Sequence, residues 1–326
     1  MTKNSSQYYS IKNIESLLNV KRELLREVAH NAGKHYDPYD TEQIKSDGKT
    51  KWRHIDNPSE DLKYIQRKIL KKILLKEMLS LPDGMIGGIA GKSIIDNARP
   101  HSNQEMVVTI DIKDCFPNVT EFMVFKTWRN TVRCGTRSAR LLTQLTTFRT
   151  ILPQGAPTSN ALCNLSLLPL FKEIKTIADK NGLAFTLYVD DITISGKASD
   201  VLPAISDVIK KIQKNGFAVR REKIGIMPAS ILQQVTSLNT NKKLNIAQRK
   251  IEEARNKIIS ITRRGNGITK KEHNSIKGTI QYVKTVSKDK AKKLNGFAEM
   301  LLPKIFIENE ERKEKATTRK CRHHKK

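Results

Sequence analysis

Phe185-Thr186-Leu187-Tyr188-Val189-Asp190-Asp191-Ile192-Thr193-Ile194-Ser195-Gly196 sets two adjacent carboxylates inside an apolar, β-branched run. Its composition predicts two short strands hinged at the acids, a hairpin with Asp190 and Asp191 at its tip. Neighbouring acids repel, and a folded chain tolerates them best where a cation neutralises both. Mg²⁺, which prefers carboxylate and phosphate oxygens, is the fitting ion. A solvated Asp-Asp turn has the same local sequence, because turn carboxylates are common, so the surroundings must separate the two readings.

A second acidic strand separates them. Met106-Val-Val-Thr-Ile-Asp111-Ile-Lys-Asp114 has the apolar run of a buried strand, and Asp111 interrupts it where an unpaired charge is costly. Laid beside the hairpin, this strand brings Asp111, Asp190 and Asp191 around a space suited to two metal ions about 4 Å apart. That is the apparatus of nucleotidyl transfer.

The Tyr188-Val189-Asp190-Asp191 box, Asp111 with Phe116 five residues on, and Leu152-Pro153-Gln154-Gly155-Ala156-Pro157-Thr158-Ser159 between them resemble, in order and spacing, a reverse transcriptase. Asn97-Ala98-Arg99-Pro100-His101 resembles the Asn-Ala-x-x-His element of bacterial retron reverse transcriptases. The resemblance runs from about Leu24 to the end of a thumb and is most specific from Asn97 to Lys223. It implies an α+β right-hand polymerase with fingers, a palm of antiparallel sheet plus helices, and a helical thumb.

The chemistry so implied is RNA-templated DNA synthesis from dNTPs, with two Mg²⁺ ions held by Asp111, Asp190 and Asp191. By the same resemblance, Arg53, with Lys49 or Lys45 as helpers, reaches over the triphosphate; an arginine fork suits phosphate. Phe116 becomes the gate beneath the sugar, although by itself it reads as core. Gln154-Gly155 lies beside the template and nascent base pair. Lys223 is placed to protonate the leaving pyrophosphate. Asn97 and His101 become RNA-binding or RNA-positioning residues, while a lone histidine is more often structural. Val235-Thr236-Ser237 stands where retron enzymes carry Val-Thr-Gly, an RNA-recognition element from which Ser237 departs.

Composition agrees with a polyanionic partner. The 326 residues carry a formal charge of +27, which favours nucleic acid over a membrane surface. From Asn241 onward, 25 Lys and Arg face 9 Asp and Glu, so +16 of that charge lies in the last 86 residues. Lys270, Lys271 and Lys277 are the thumb lysines expected on RNA. Cys115, Cys134, Cys163 and Cys321 lack Cys-x-x-Cys spacing, which argues for reduced thiols rather than zinc or a disulfide framework. No apolar run approaches the ~18 residues of a membrane span, and a cytoplasmic location is expected.

The expected order is an N-terminal helical segment over 1–35, fingers over 36–104, and a palm over 105–240 interleaved with a fingers segment at about 130–158. A basic thumb over 241–307 and a basic tail over 308–326 follow. Asp47-Gly48 signals a hairpin turn. Leu62, Ile65, Ile69 and Ile73 predict a helix behind Pro58-Ser59, and Thr269 with Glu272 predicts a capping box in the thumb. Pro169 predicts a kink in the helix after Gln154. Gly87 to Ser93 resembles a P-loop only superficially, since Ile86 occupies the first glycine position.

Among polymerases, the retron reading implies a structured noncoding RNA as template and primer, priming from a 2′-hydroxyl, and RNA-linked DNA (msDNA) used in anti-phage defence. The chain has no room for a second large catalytic domain, so an effector protein is expected as a separate chain. The rival readings are a group II intron or diversity-generating reverse transcriptase, and a non-catalytic RNA-binding scaffold. Three clustered acids speak against the scaffold, because a polyanion-binding surface gains nothing from them.

Overall fold

The computed structural model describes residues 9–44, 50–265, 267–302 and the strand at 306–307. The chain divides into two compact units, Met1–Gln233 and Gln234–Lys326.

The first unit opens with two amphipathic helices, α1 (Ile11–Leu18) and α2 (Arg22–His30), which bury Ile14, Leu18, Leu25 and Val28. Strands β1 (Tyr36–Ile44) and β2 (Thr50–Pro58) form an antiparallel hairpin registered from Tyr36↔Pro58 to Ile44↔Thr50. Lys45, Lys49 and the Asp47-Gly48 turn lie outside the described residues. Ser59 caps α3 (Glu60–Ile69), which runs through a π turn at Leu70–Leu74 into α4 (Leu75–Leu79). Leu62, Ile65, Ile69 and Ile73 are fully buried, as their spacing predicts. Helix α5 (Ile94–Ala98) starts with a Ser93/Asp96 capping box.

The central sheet follows. Strand β3 (Met106–Lys113) leads to three short helices, α6 (Cys115–Asn118), α7 (Glu121–Lys126) and α8 (Thr136–Thr146). The long α9 (Ser159–Lys180) passes through Pro169 as one helix. Then come β4 (Ala184–Tyr188), β5 (Asp191–Gly196), α10 (Ala198–Lys214), β6 (Ala218–Val219) and β7 (Gly225–Pro228). The strands are antiparallel in the order β4-β5-β3-β6, with β7 paired to the first half of β3. Helices α9 and α10 pack on each other and on the sheet, where Ile110, Ile192 and Ile194 meet Leu162, Leu170 and Val208 in one core. Each such side chain contributes about 1.5–3 kcal/mol of burial free energy, which makes this sheet a rigid base for whatever its loops carry.

The second unit begins with a ribbon of β8 (Gln234–Val235), β9 (Leu238–Asn239) and β10 (Asn245–Ile246). Three helices follow: α11 (Gln248–Arg264), then β11 (Ile268–Thr269), α12 (Lys270–Val286) and α13 (Lys288–Leu301). Strand β12 (Phe306–Ile307) pairs parallel with β11. Ile251, Ala254, Ile258 and Ile261 form the buried stripe of α11, which ends at Gly265 with φ 72°. Thr269 and Glu272 make the predicted capping box, and Arg264 adds two bonds of 3.0 Å that help hold the Glu272 carboxyl down at about 2. The expected tail, 308–326, lies outside the described residues. Among the described residues, no helix is long and apolar enough to cross a membrane.

Candidate active site

The hairpin turns through two residues, Val189 and Asp190, between the paired Tyr188 and Asp191. Val189 has φ 59°, a conformation that a two-residue hairpin turn normally gives to Gly and that costs a β-branched residue about 1–3 kcal/mol. The strain is held by a neighbouring loop. Ile86 N donates to Leu187 O (2.9 Å) and Leu187 N to Gly84 O (2.8 Å), so residues 84–86 run along β4. Lys92 Nζ donates to the carbonyls of Pro82, Asp83 and Met85, which commits it to the loop rather than to a phosphate and agrees with rejecting a P-loop.

Register brings the acids together. Asp111 is paired with Asp191 across β3 and β5, and Ile112 N donates to Asp190 O at 3.0 Å. Asp111 Oδ1 accepts from Lys223 Nζ at 3.1 Å, and Oδ2 lies 3.5 Å from Arg220 Nε. Burial, then the Asp111 charge, raises the Asp190 carboxyl above the usual range. Asp191 keeps an exposed face, yet desolvation of its carboxyl at the hairpin tip, followed by the charges of Asp190 and Asp111, pushes it up to about 6.

His101 stands behind this tip. Its ring is fully buried, with Nδ1 at 2.7 Å from Ser195 Oγ and Nε2 at 2.8 Å from Thr186 Oγ1. Burial lowers its pKa to about 3, so the ring is neutral and ties β4 to β5. Asn97 is equally buried. Neither side chain offers a surface to a polyanion, which removes direct RNA contact from the two roles expected of Asn97 and His101. Val235 is also buried, whereas Ser237 is exposed. Thr236 (φ 46°) and Ser237 (φ 69°) form the turn between β8 and β9, so the serine keeps the left-handed backbone that favours Gly.

Gln154 is tied to the β1–β2 hairpin: Asp56 N donates to Gln154 O at 2.7 Å and Gln154 N to Asp56 Oδ2 at 3.1 Å. Gly155 has φ 110°, and a Cβ there would stand 2.8 Å from Ile55 Cγ2, so this turn requires glycine. Arg53 is exposed on β2, opposite Thr41. Phe116 is half-buried, on α6 directly after the Asp111 strand. Lys270, Lys271 and Lys277 are exposed on α12. Sequence reasoning missed Arg220, Asp56 and Gly87. Nothing marks Arg220 as special among 60 Lys and Arg.

Residues 44–260 match the reverse transcriptase (RNA-dependent DNA polymerase) family. The chain belongs to that family. It is 32% identical over 241 residues to the Retron Ec86 reverse transcriptase of Escherichia coli, covering 73% of this chain and 74% of that one. It is 29% identical over 260 residues to the Retron Mx65 reverse transcriptase of Myxococcus xanthus, covering 74% and 60%. A solved structure of telomerase from Candida albicans with a fragment of telomeric RNA aligns with TM-score 0.47 at 10% identity, covering 84% and 61%.

This retron-type reverse transcriptase is an RNA-directed DNA polymerase with the right-hand polymerase fold. Nucleotidyl transfer by the family uses divalent cations and dNTPs. The residues present fit such an ion: the donors are hard carboxylate oxygens, and Asp111 Oδ2 is buried without a hydrogen bond. Among the described residues, no three acidic, His or Cys side chains already stand close enough to enclose an ion; Asp111 instead faces Lys223 and Arg220.

Proposed function

We propose that this enzyme is the polymerase of a retron. It takes a structured noncoding RNA as template and primer, extends DNA from a 2′-hydroxyl of that RNA, holds the growing RNA/DNA hybrid, and yields RNA-linked DNA. The product serves anti-phage defence in the cytoplasm with a separately encoded effector protein. The register of Asp111 on Asp191 beside Asp190 carries the catalytic part of this reading. Its retron part rests on the relatives and on the Asn97 to His101 element.

Two Mg²⁺ ions on Asp111, Asp190 and Asp191 would lower the pKa of the primer hydroxyl and neutralise the departing pyrophosphate. The side chains do the rest. Lys223, 3.1 Å from Asp111, supplies a proton to the leaving group. Arg53 and Lys49 meet the triphosphate. Gln154, pinned to β2 through Asp56, lines the templating base pair. In this reading the fingers lie at 36–104, the palm at 105–240 and the thumb at 241–307.

The test of priming is the linkage. RNA-joined DNA isolated from cells carrying the native locus should release a free DNA 5′ end on treatment with debranching enzyme. A product unchanged by that enzyme would favour a generic reverse transcriptase.

Phe116 packs partly against the core and keeps part of its surface open, on α6 just after the Asp111 strand, which leaves room for a sugar gate there. Phe116→Ala should raise incorporation of ribonucleotides relative to deoxyribonucleotides by about tenfold or more, a difference of roughly 1.4 kcal/mol. Unchanged discrimination in single-nucleotide assays would assign Phe116 to packing.

In the second unit, Lys277, Lys284, Lys288 and Lys292 line a groove of about 520 Å³ between α12 and α13, with Gln281 and Asn295. Among the described residues no carboxylate lines it, which suits a phosphate backbone. Changing the four lysines to Gln should flatten the slope of log K against log salt by about 3, at roughly 0.7–0.9 per lost phosphate contact. Lys270 and Lys271 stand at the start of α12, outside this groove, and their replacement should matter less. An unchanged slope for the groove variant would mean that its lysines face only solvent.

A further inference from the structure

Among the described residues, Arg220 is a positive charge at the acidic site that neither the motifs nor the proposed mechanism uses. It follows β6 directly, where Val219 pairs with Ile112, and its own N–H donates to Asp111 O at 3.0 Å. Its guanidinium is held from the far side: Nη2 donates to Asp114 Oδ1 at 2.7 Å. Asp114 has φ 46°, so the chain turns there out of β3 and offers its carboxylate to Arg220. The guanidinium is thereby fixed with Nε 3.5 Å from Asp111 Oδ2, the buried oxygen that lacks a hydrogen bond.

Lys223 differs. It reaches Asp111 through a single ammonium on a flexible stem, and its side chain is 46% exposed against 21% for Arg220. Lys223 can leave Asp111 when other chemistry needs it. Arg220, anchored by its backbone and by Asp114, stays.

We propose that Arg220 is a fixed charge that limits how tightly Asp111, Asp190 and Asp191 hold a divalent cation. This rests on the reading that those carboxylates are the cation site. Three acids with no compensating charge would bind a doubly charged ion strongly, and an ion that departs with pyrophosphate would then be slow to leave. A permanent positive charge beside Asp111 raises the local potential and keeps exchange fast. Arg220 is thus a positioning residue that acts through Asp111.

The test is Mn²⁺ binding to the full chain, read from the electron paramagnetic resonance signal of free Mn²⁺ without nucleotide or turnover. Arg220→Gln should bind Mn²⁺ about tenfold more tightly, the size of one unit charge a few ångströms away in a water-like dielectric. Arg220→Lys should stay close to the parent, and Arg220→Met, which removes the charge and keeps an unbranched apolar stem, should tighten binding by a factor similar to that of Arg220→Gln. Unchanged or weaker binding by Arg220→Gln overturns the proposal, as does equal tightening by the Lys variant. If Arg220→Gln does not fold, unchanged or weaker binding by Arg220→Met overturns it instead. Asp111→Asn separates the two levels: Mn²⁺ binding that survives that change removes the carboxylate site itself, whatever Arg220 does.

Discussion

Asp190→Asn together with Asp191→Asn should lower primer extension by about 10³-fold or more, because several kcal/mol of transition-state charge stabilisation depends on ligands that the amides cannot replace. RNA binding should persist, since the substitutions keep side-chain size and leave the lysine groove of the second unit untouched. The same change should stabilise the fold. Burial and mutual repulsion raise both carboxyls, Asp191 to about 6, so folding disfavours their ionised forms. For an acid raised in this way the penalty is absent below the unfolded pKa of about 4, grows as pH rises towards 6, and is complete above it. Thermal melts in a chelator should therefore show the double variant melting above the parent at pH 8 and level with it near pH 3.5. Near-normal extension would remove the acids from catalysis. An equal melting temperature at pH 8 would remove the repulsion.

The acid site was legible because its signals are local and chemically costly: an Asp pair between β-branched runs, and an Asp inside an apolar strand. The register of Asp111 on Asp191 joins strands 80 residues apart, so no local pattern states it; the cost of burying Asp111 alone pointed to it. For Asn97 and His101 the sequence left a structural and an RNA-positioning reading open, and it did not show their partners: the β4–β5 hairpin carries Thr186, Thr193 and Ser195, all buried, and two of these meet His101. Alternating polar residues in a strand normally mark a solvated face. Here that face is covered by the segment ending in His101, and only the assembled sheet reveals it. The π turn at Leu70–Leu74 escaped because its apolar spacing still fits a helix, and Arg220 because a basic residue in a basic chain carries no information until its geometry is known.

Gly87→Ala should lower the maximal rate of nucleotide incorporation by about 10²-fold while leaving RNA affinity near that of the parent. A Cβ at Gly87 would stand 2.4 Å from Val189 Cγ2 and 2.5 Å from Val189 N, and one of those contacts is to backbone, which no rotamer change relieves. The loop cannot simply withdraw. Its carbonyl accepts from Asn164 Nδ2 at 3.0 Å, and the preceding residue donates to Leu187 O, so retreat would break bonds on both sides. Overpacking of this kind costs about 1–3 kcal/mol, and the softer partner is Val189, already in a left-handed conformation. Its movement carries Asp190, the next residue, and a displacement near 1 Å at a reacting centre costs about 10²-fold in rate. Adding Val189→Gly should recover part of the loss, since it removes Cγ2 and relaxes the turn. Single-turnover incorporation with saturating dNTP measures the effect. A Gly87→Ala enzyme with more than half the parent rate would show that the hairpin tip yields without moving its carboxylates, and that Gly87 is needed for chain folding alone.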